Sequence, residues 1–218
     1  MLEVWITAVH TLDPGAEEPA ATRQRLKDRF PAGAARRMTQ LGMLVGSALE
    51  AVGPGPDDRL VYASCFGESR ALEAYLDSFP TASPTLFQTS IHPSGVQQGL
   101  IVRQRPTREV FPIAGSPAQV AQALLACLTA PGPRAILCGG EERATWLTER
   151  RAASERTFAF ALTLAREAAA GALGRVVLRP ADAASGSLEL PAWFDLLHRR
   201  DSFVGDVAPG WHLELTWS

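Results

Sequence analysis

The sequence predicts an α/β fold, a mixed and mostly parallel β-sheet covered by helices on both faces. Three observations carry that reading. Short apolar runs of strand length alternate with stretches of helical periodicity along most of the chain, the pattern of a sheet whose strands are joined by helical crossovers. Apolar residues make up 46% of the 218 residues, enough to bury one large core. No internal repeat, low-complexity tract or linker breaks the pattern, so residues 1–218 read as a single domain.

In chain order, residues 2–9 set Leu2, Val4, Ile6 and Ala8 against Glu3, Trp5 and Thr7, the two-residue period of a strand. A Pro-, Gly- and Glu-rich connection follows. Over 34–52, Met38, Leu41, Leu44, Val45 and Leu49 fall on one helical stripe, which GPGPDD (53–58) ends. RLVYAS (59–64) is a short buried strand, and GESRALEAYLDSF (67–79) a helix with an acidic first turn. Residues 84–102 begin irregularly and lead into a helix. REVFPIA (108–114) is apolar on both faces, as in a strand buried on both sides, and an alanine- and leucine-rich helix begins directly after it. PGPRAILCGGEE (131–142) is a strand ending in paired glycines, and 156–167 and 174–180 are closely spaced strands that suggest antiparallel additions. PAWFDLLHRR (191–200) has helical spacing, and WHLELTW (211–217) alternates as a closing edge strand.

The net charge is −2, and the ArgArg pairs at 36–37, 150–151 and 199–200 lie scattered among acids. Nucleic acid needs clustered positive charge, so it is excluded as the main partner. No run of about eighteen apolar residues exists to span a membrane. The N-terminus has neither the basic segment nor the cleavage site of a signal peptide. Cys65, Cys127 and Cys138 are odd in number and lack metal spacing, so a reduced cytoplasm is expected, and no metal or cofactor.

Four motifs then come in succession: LVYASCFGE (60–68), SPTLFQTSIHPSGVQQGLI (83–101), VFPIAGSPAQVAQAL (110–124) and RAILCGGEE (134–142). Their order and spacing, over roughly residues 35–165, resemble the N-terminal half of the β-ketoacyl synthases of the thiolase-like fold. More closely, the chain is similar to the short ketosynthase-like proteins, described as chain-length factors, found beside bacterial aryl-polyene-type polyketide genes. That subgroup has Ser-Val-His-Asn-Ala where this chain has Ser90-Ile91-His92-Pro93-Ser94, and Pro93 departs from it. The resemblance implies that Gly115, flanked by Ala114 and Ser116, stands at the family's nucleophilic cysteine. A condensing enzyme needs a thiolate there, activated by a helix N-terminus and by histidines, and glycine cannot hold an acyl group. The family's two catalytic histidines lie in its C-terminal half. After residue 150 this chain has only His198 and His212, neither in a matching motif.

Other readings of the same residues compete. Gly115-Ser116 lacks the second glycine of a serine-hydrolase elbow; with Pro117 as first helical residue, Ser116 reads as an N-cap. Cys65 with His92 offers a Cys-His pair, against Cys65 as a small hydrophobe. Cys127 and Cys138 fall on a helix stripe and in a strand, so packing is their default. His92-Pro93-Ser94-Gly95 opens a helix that either binds an anion or is a turn capped by Ser94. Gly139-Gly140 needs no ligand, since glycines at a strand end allow a close chain crossing or positive φ.

The expectation is a catalytically inactive, half-length ketosynthase homologue, a chain-length-factor-type partner of a full ketosynthase in fatty-acid or aryl-polyene-like polyketide biosynthesis. No catalytic residue is expected. By the same resemblance, the strand 108–113 pairs antiparallel with its counterpart across a two-fold axis. Phe87, Gln88, Thr89, His92, Val110, Phe111 and Ile113 are then the interface or tunnel candidates. Between Glu109 and Glu141 only Arg134 is charged, so an edge strand here demands a cover from another chain. The partner is a full ketosynthase in a heterodimer or a second copy in a homodimer, with an acyl carrier protein engaged indirectly. Two rivals remain: a small acyl-transfer or hydrolytic enzyme using Cys65 or Ser116, and a homodimeric binder of an acyl chain or acyl carrier protein.

Overall fold

A computed structural model describes residues 1–115, 117–183 and 185–218; Ser116 and Ala184 lie outside the described residues. Strand β1 (Leu2–Gly15) runs past its alternating start because Trp5 to Gly15 pair with a strand much later in the chain. The proline-rich connection holds α1 (Pro19–Leu26), with Pro19 in its first turn, and α2 (Ala32–Ala35). Helix α3 (Gln40–Val52) starts where the Thr39 hydroxyl accepts from the Gly42 amide and stops at Gly53 in the left-handed region. Then come β2 (Arg59–Ser64), α4 (Ser69–Asp77), α5 (Pro84–Ser90), α6 (Ser94–Arg103), β3 (Glu109–Ala114), α7 (Gln119–Leu128) and β4 (Arg134–Glu141). The chain closes with α8 (Trp146–Glu149), β5 (Thr157–Ala165), β6 (Gly174–Pro180), α9 (Leu190–Arg199), β7 (Phe203–Ala208) and β8 (Trp211–Trp217).

The strands form one sheet in the order β3-β2-β4-β5-β1-β6-β8-β7. It is mixed and carries helices on both faces, as expected, but five of its seven pairings are antiparallel. The expected mostly parallel sheet is corrected to this extent. Parallel neighbours need a long crossover. Helices α4 to α6 and α7 supply one on each side of β3, whereas β7 and β8 are joined by a tight turn. β8 is also not the closing edge, since β7 lies outside it.

Alternation along the strands splits the core. Leu60, Tyr62, Ile136, Cys138, Ala159 and Ala161 face α3, whose Leu41, Leu44 and Val45 are fully buried. Val61, Ala63, Leu137, Phe158, Phe160 and Leu162 face α7 and α9, with Leu124, Trp193 and Phe194. Gly139 lies where β4 crosses β2 most closely: a Cβ there would stand 2.2 Å from the Ala63 carbonyl oxygen. Close crossing, one of the two uses proposed for the paired glycines, is therefore the one realised.

The two sheet edges differ. β7 is guarded on its outer side, where the Leu188 amide donates to the Val207 carbonyl (3.1 Å) and the Ser185 amide to the Asp206 carboxylate (3.1 Å). β3 has β2 on one side and, among the described residues, no strand on the other. The expectation that REVFPIA is buried on both sides fails within the single chain: Phe111 is 46% exposed, and Pro112 and Ala114 are exposed.

Candidate functional site

Three parallel strands, β3, β2 and β4, end together, and ligands of open α/β sheets bind beyond such carboxyl ends. Beyond β3 the chain turns at Gly115, φ +69°, a conformation that glycine adopts freely. Open space surrounds its missing side chain. Gln119 fixes the turn by donating to the Ile113 carbonyl oxygen (2.9 Å). Helix α7 begins at Gln119 with Ala118 as N-cap, so Pro117 precedes the helix instead of opening it. The N-cap role expected of Ser116, and its rival role as nucleophile, fall outside the described residues.

A cleft of about 320 Å³ opens here, lined by Cys65, Phe66, Gly115, Pro117, Gln119, Glu141, Ser154 and the stretch Leu188–Pro191. Glu141, last residue of β4, reaches back to the end of β2. It accepts from the Cys65 amide, the Phe66 amide (3.3 Å) and the Ser64 hydroxyl (3.3 Å). Burial nonetheless pushes its carboxyl up to about 8. Glu142, behind it, accepts from the Arg70 amide (3.0 Å) and is pushed up to about 7 by burial.

Cys65 lines the cleft without the surroundings of a nucleophile. Burial raises its thiol, and Glu141 and Glu189 raise it further; activation requires the opposite. None of the four histidines is among the lining residues. His92 turns to Glu68 (Nδ1 to Oε2 3.4 Å) and stacks on Tyr62 with centroids 4.9 Å apart. His198 bonds the Thr11 hydroxyl (2.9 Å), and His212 bonds Asp206 (3.2 Å). Cys127 and Cys138 are buried, and burial raises both thiols.

The start of α6 resolves differently from either reading of it. Its free amide is taken by a protein carboxylate: Gly95 donates to Glu68 Oε1 (2.6 Å). Ser94, within the helix, accepts from Gln98 (2.8 Å) instead of capping. Sequence reasoning missed Glu68, Glu141 and Glu142 as a buried group of carboxyls. The available signal was that each follows a glycine at a strand end, directly or one residue on.

Among the interface candidates, Phe87 is 49% exposed and Gln88 is exposed. Thr89 is half-buried, its hydroxyl donating to the Leu86 carbonyl (3.1 Å). Val110 packs against the α3 side of the core and Ile113 against the α7 side, leaving Phe111 outward with Arg59 over its ring at 5.2 Å.

No family model and no curated protein matches this chain. Solved structures do. One chain of a ketosynthase (ApeO) in complex with its chain length factor (ApeC) from Xenorhabdus doucetiae superposes with TM-score 0.70 at 20% identity, covering 99% of this chain and 100% of that one. The fold is thiolase-like. The ishigamide ketosynthase/chain length factor (TM-score 0.56, 13% identity, 84% of this chain and 68% of that one) shares it. So does a β-ketoacyl synthase from Burkholderia phymatum STM815 (0.55, 14%, 84% and 65%). At these identities the likeness establishes the thiolase-like fold.

Proposed function

We propose that this chain is a catalytically silent, half-length ketosynthase homologue that docks on a full ketosynthase as a chain-length-factor-type subunit. It serves fatty-acid or aryl-polyene-like polyketide synthesis in a bacterial cytoplasm. The observation that carries this reading is Gly115: the turn that would raise a nucleophile is built, and the residue on it has no side chain to acylate. The end-to-end likeness to one chain of a ketosynthase–chain length factor complex supports it. So does the unguarded apolar strand β3, since exposed edges are ordinarily covered or charged. Phe66, 40% exposed beside Gly115, and Phe87 and Ile91, 49% and 47% exposed, are further apolar side chains left open to a partner. These side chains, with Phe111, would line the partner or its acyl tunnel. The raised Cys65 thiol counts against the hydrolytic rival.

The test is co-expression with a full-length ketosynthase from the same genome, followed by size exclusion with light scattering. A one-to-one complex is expected. A self-paired chain that ignores the ketosynthase would favour the homodimeric binder, and a chain that stays monomeric at high concentration would refute docking altogether.

A further inference from the structure

The cleft at Gly115 contains two carboxyls and, among its described lining residues, no Lys, Arg or His. Buried acidic side chains are ordinarily paired with a cation or a metal. Glu141 is 1% exposed, and its hydrogen-bond donors are all neutral: two backbone amides and a hydroxyl. They fix the carboxyl in place and leave its charge uncompensated, which is why burial prevails and holds it protonated. Glu189 stands in the same cleft, and both carboxyls bear on the Cys65 thiol. Much of the remaining wall is apolar, with Phe66, Leu188 and Leu190. An apolar cleft that also holds a fixed carboxyl suits a cation on an alkyl stem, the stem along the leucines and the head at the acid.

We propose that this cleft receives a lysine or arginine side chain from the chain docked on β3, paired with Glu141. The proposal rests on the β3 interface argued above. Gly115 directly follows Ala114, the last residue of β3, so a chain laid along that strand lies at the cleft's mouth. When the cation enters, the Glu141 proton leaves to solvent, and docking near neutral pH releases protons.

n-Butylguanidinium is the probe for the cleft itself. Calorimetric titration of the isolated chain near neutral pH, in two buffers of different ionisation heat, should detect binding with proton release. n-Butylurea, similar in shape but uncharged, should bind at least about tenfold more weakly. Saturating n-butylguanidinium should slow iodoacetamide alkylation of Cys65 in the unmutated chain. Equal binding of the urea, no proton release, or unprotected Cys65 overturns the cation site. The source of the cation is tested with Glu141→Gln, which should weaken association with the ketosynthase by about tenfold or more while circular dichroism stays unchanged. If the probe binds but this variant associates as tightly as wild type, the cation is a free small molecule and the partner assignment fails. If wild type associates with no chain at all, the interface reading fails and takes the partner assignment with it, while calorimetry still decides the chemistry of the cleft.

Discussion

Between about pH 7 and about pH 9 this protein is expected to lose stability, and the cause is the pair of carboxyls that follow the paired glycines. Glu141 and Glu142 are each 1% exposed. Burial is the largest influence on both, raising them from the ordinary 4.5 to about 8 and about 7. In the unfolded chain both are ionised throughout this interval, whereas the folded chain enters it with Glu141 largely and Glu142 about half protonated and gives those protons up across it. A carboxyl raised by folding contributes fully at low pH and loses that contribution as pH climbs through its folded value. Integrating the proton difference over the interval gives about 1.4 kcal/mol for Glu141 and about 0.4 kcal/mol for Glu142, on the order of 2 kcal/mol in all. The Cys65, Cys127 and Cys138 thiols, raised by burial from an ordinary 9.0, add to the same loss only near the top of the interval, and the remaining shifted groups act elsewhere. His10, lowered mainly by burial, matters below its ordinary 6.5; Asp13, Glu17, Glu73 and Asp206, all lowered, matter in acid. For a chain of this size the loss corresponds to roughly 4–8 °C in melting temperature. Thermal unfolding followed by circular dichroism across the interval measures it, and Glu141→Gln should remove most of the slope between about pH 7 and about pH 8, below the range where the thiols act. A melting temperature that holds or rises, or a variant with the wild-type slope, refutes the argument.

Phe111→Arg should abolish association while the chain still folds or partly aggregates, because a charge without a partner would enter a dry interface; light scattering after size exclusion reads the outcome. Gly139→Ala should cost about 1–3 kcal/mol in urea unfolding, since its methyl meets the Ala63 carbonyl at 2.2 Å and the Phe160 ring at 2.9 Å. Wild type incubated with acyl carrier protein thioesters should show no stable adduct in intact-mass spectra, and one on Cys65 or Ser116 would revive the hydrolytic rival. Gly115→Cys has open space for its thiol and pays on the order of 1–3 kcal/mol of backbone strain at positive φ. It should still not condense malonyl units without a partner, because nucleophile, base and oxyanion donors act together.

The part of the fold that could be read from the sequence is the part written in local periodicity. β2, α4, α7, β4 and α9 stand close to where alternation, helical stripes and glycine stops put them. The misses are non-local. The second half of β1 is a strand because β5 pairs with it more than a hundred residues later. β7 interrupts its pattern with Gly205 and Asp206 and is held by β8 on one side and the 185–188 segment on the other. Sheet polarity was misjudged because local pattern does not say which strand a short connection returns to. At the site, the glycine turn that follows β3 was legible, because the apolar run stops at Ala114 and Gly115 takes the positive φ of the turn. The carboxyl group behind it was not, since Glu68, Glu141 and Glu142 meet only once β2 and β4 lie side by side.

The unequal edges of the sheet also set a limit on assembly. With β7 flanked at Asp206 and Val207 by the chain's own 185–188 segment and β3 open, each molecule can lengthen its sheet more readily at the β3 edge. Two such molecules joined through β3 use up their open edges, so growth stops at the pair. Two open edges would make the same contacts propagate into a filament. The segment flanking β7 therefore acts as a chain terminator, and removing its grip is the change that would turn a closed complex into a polymer.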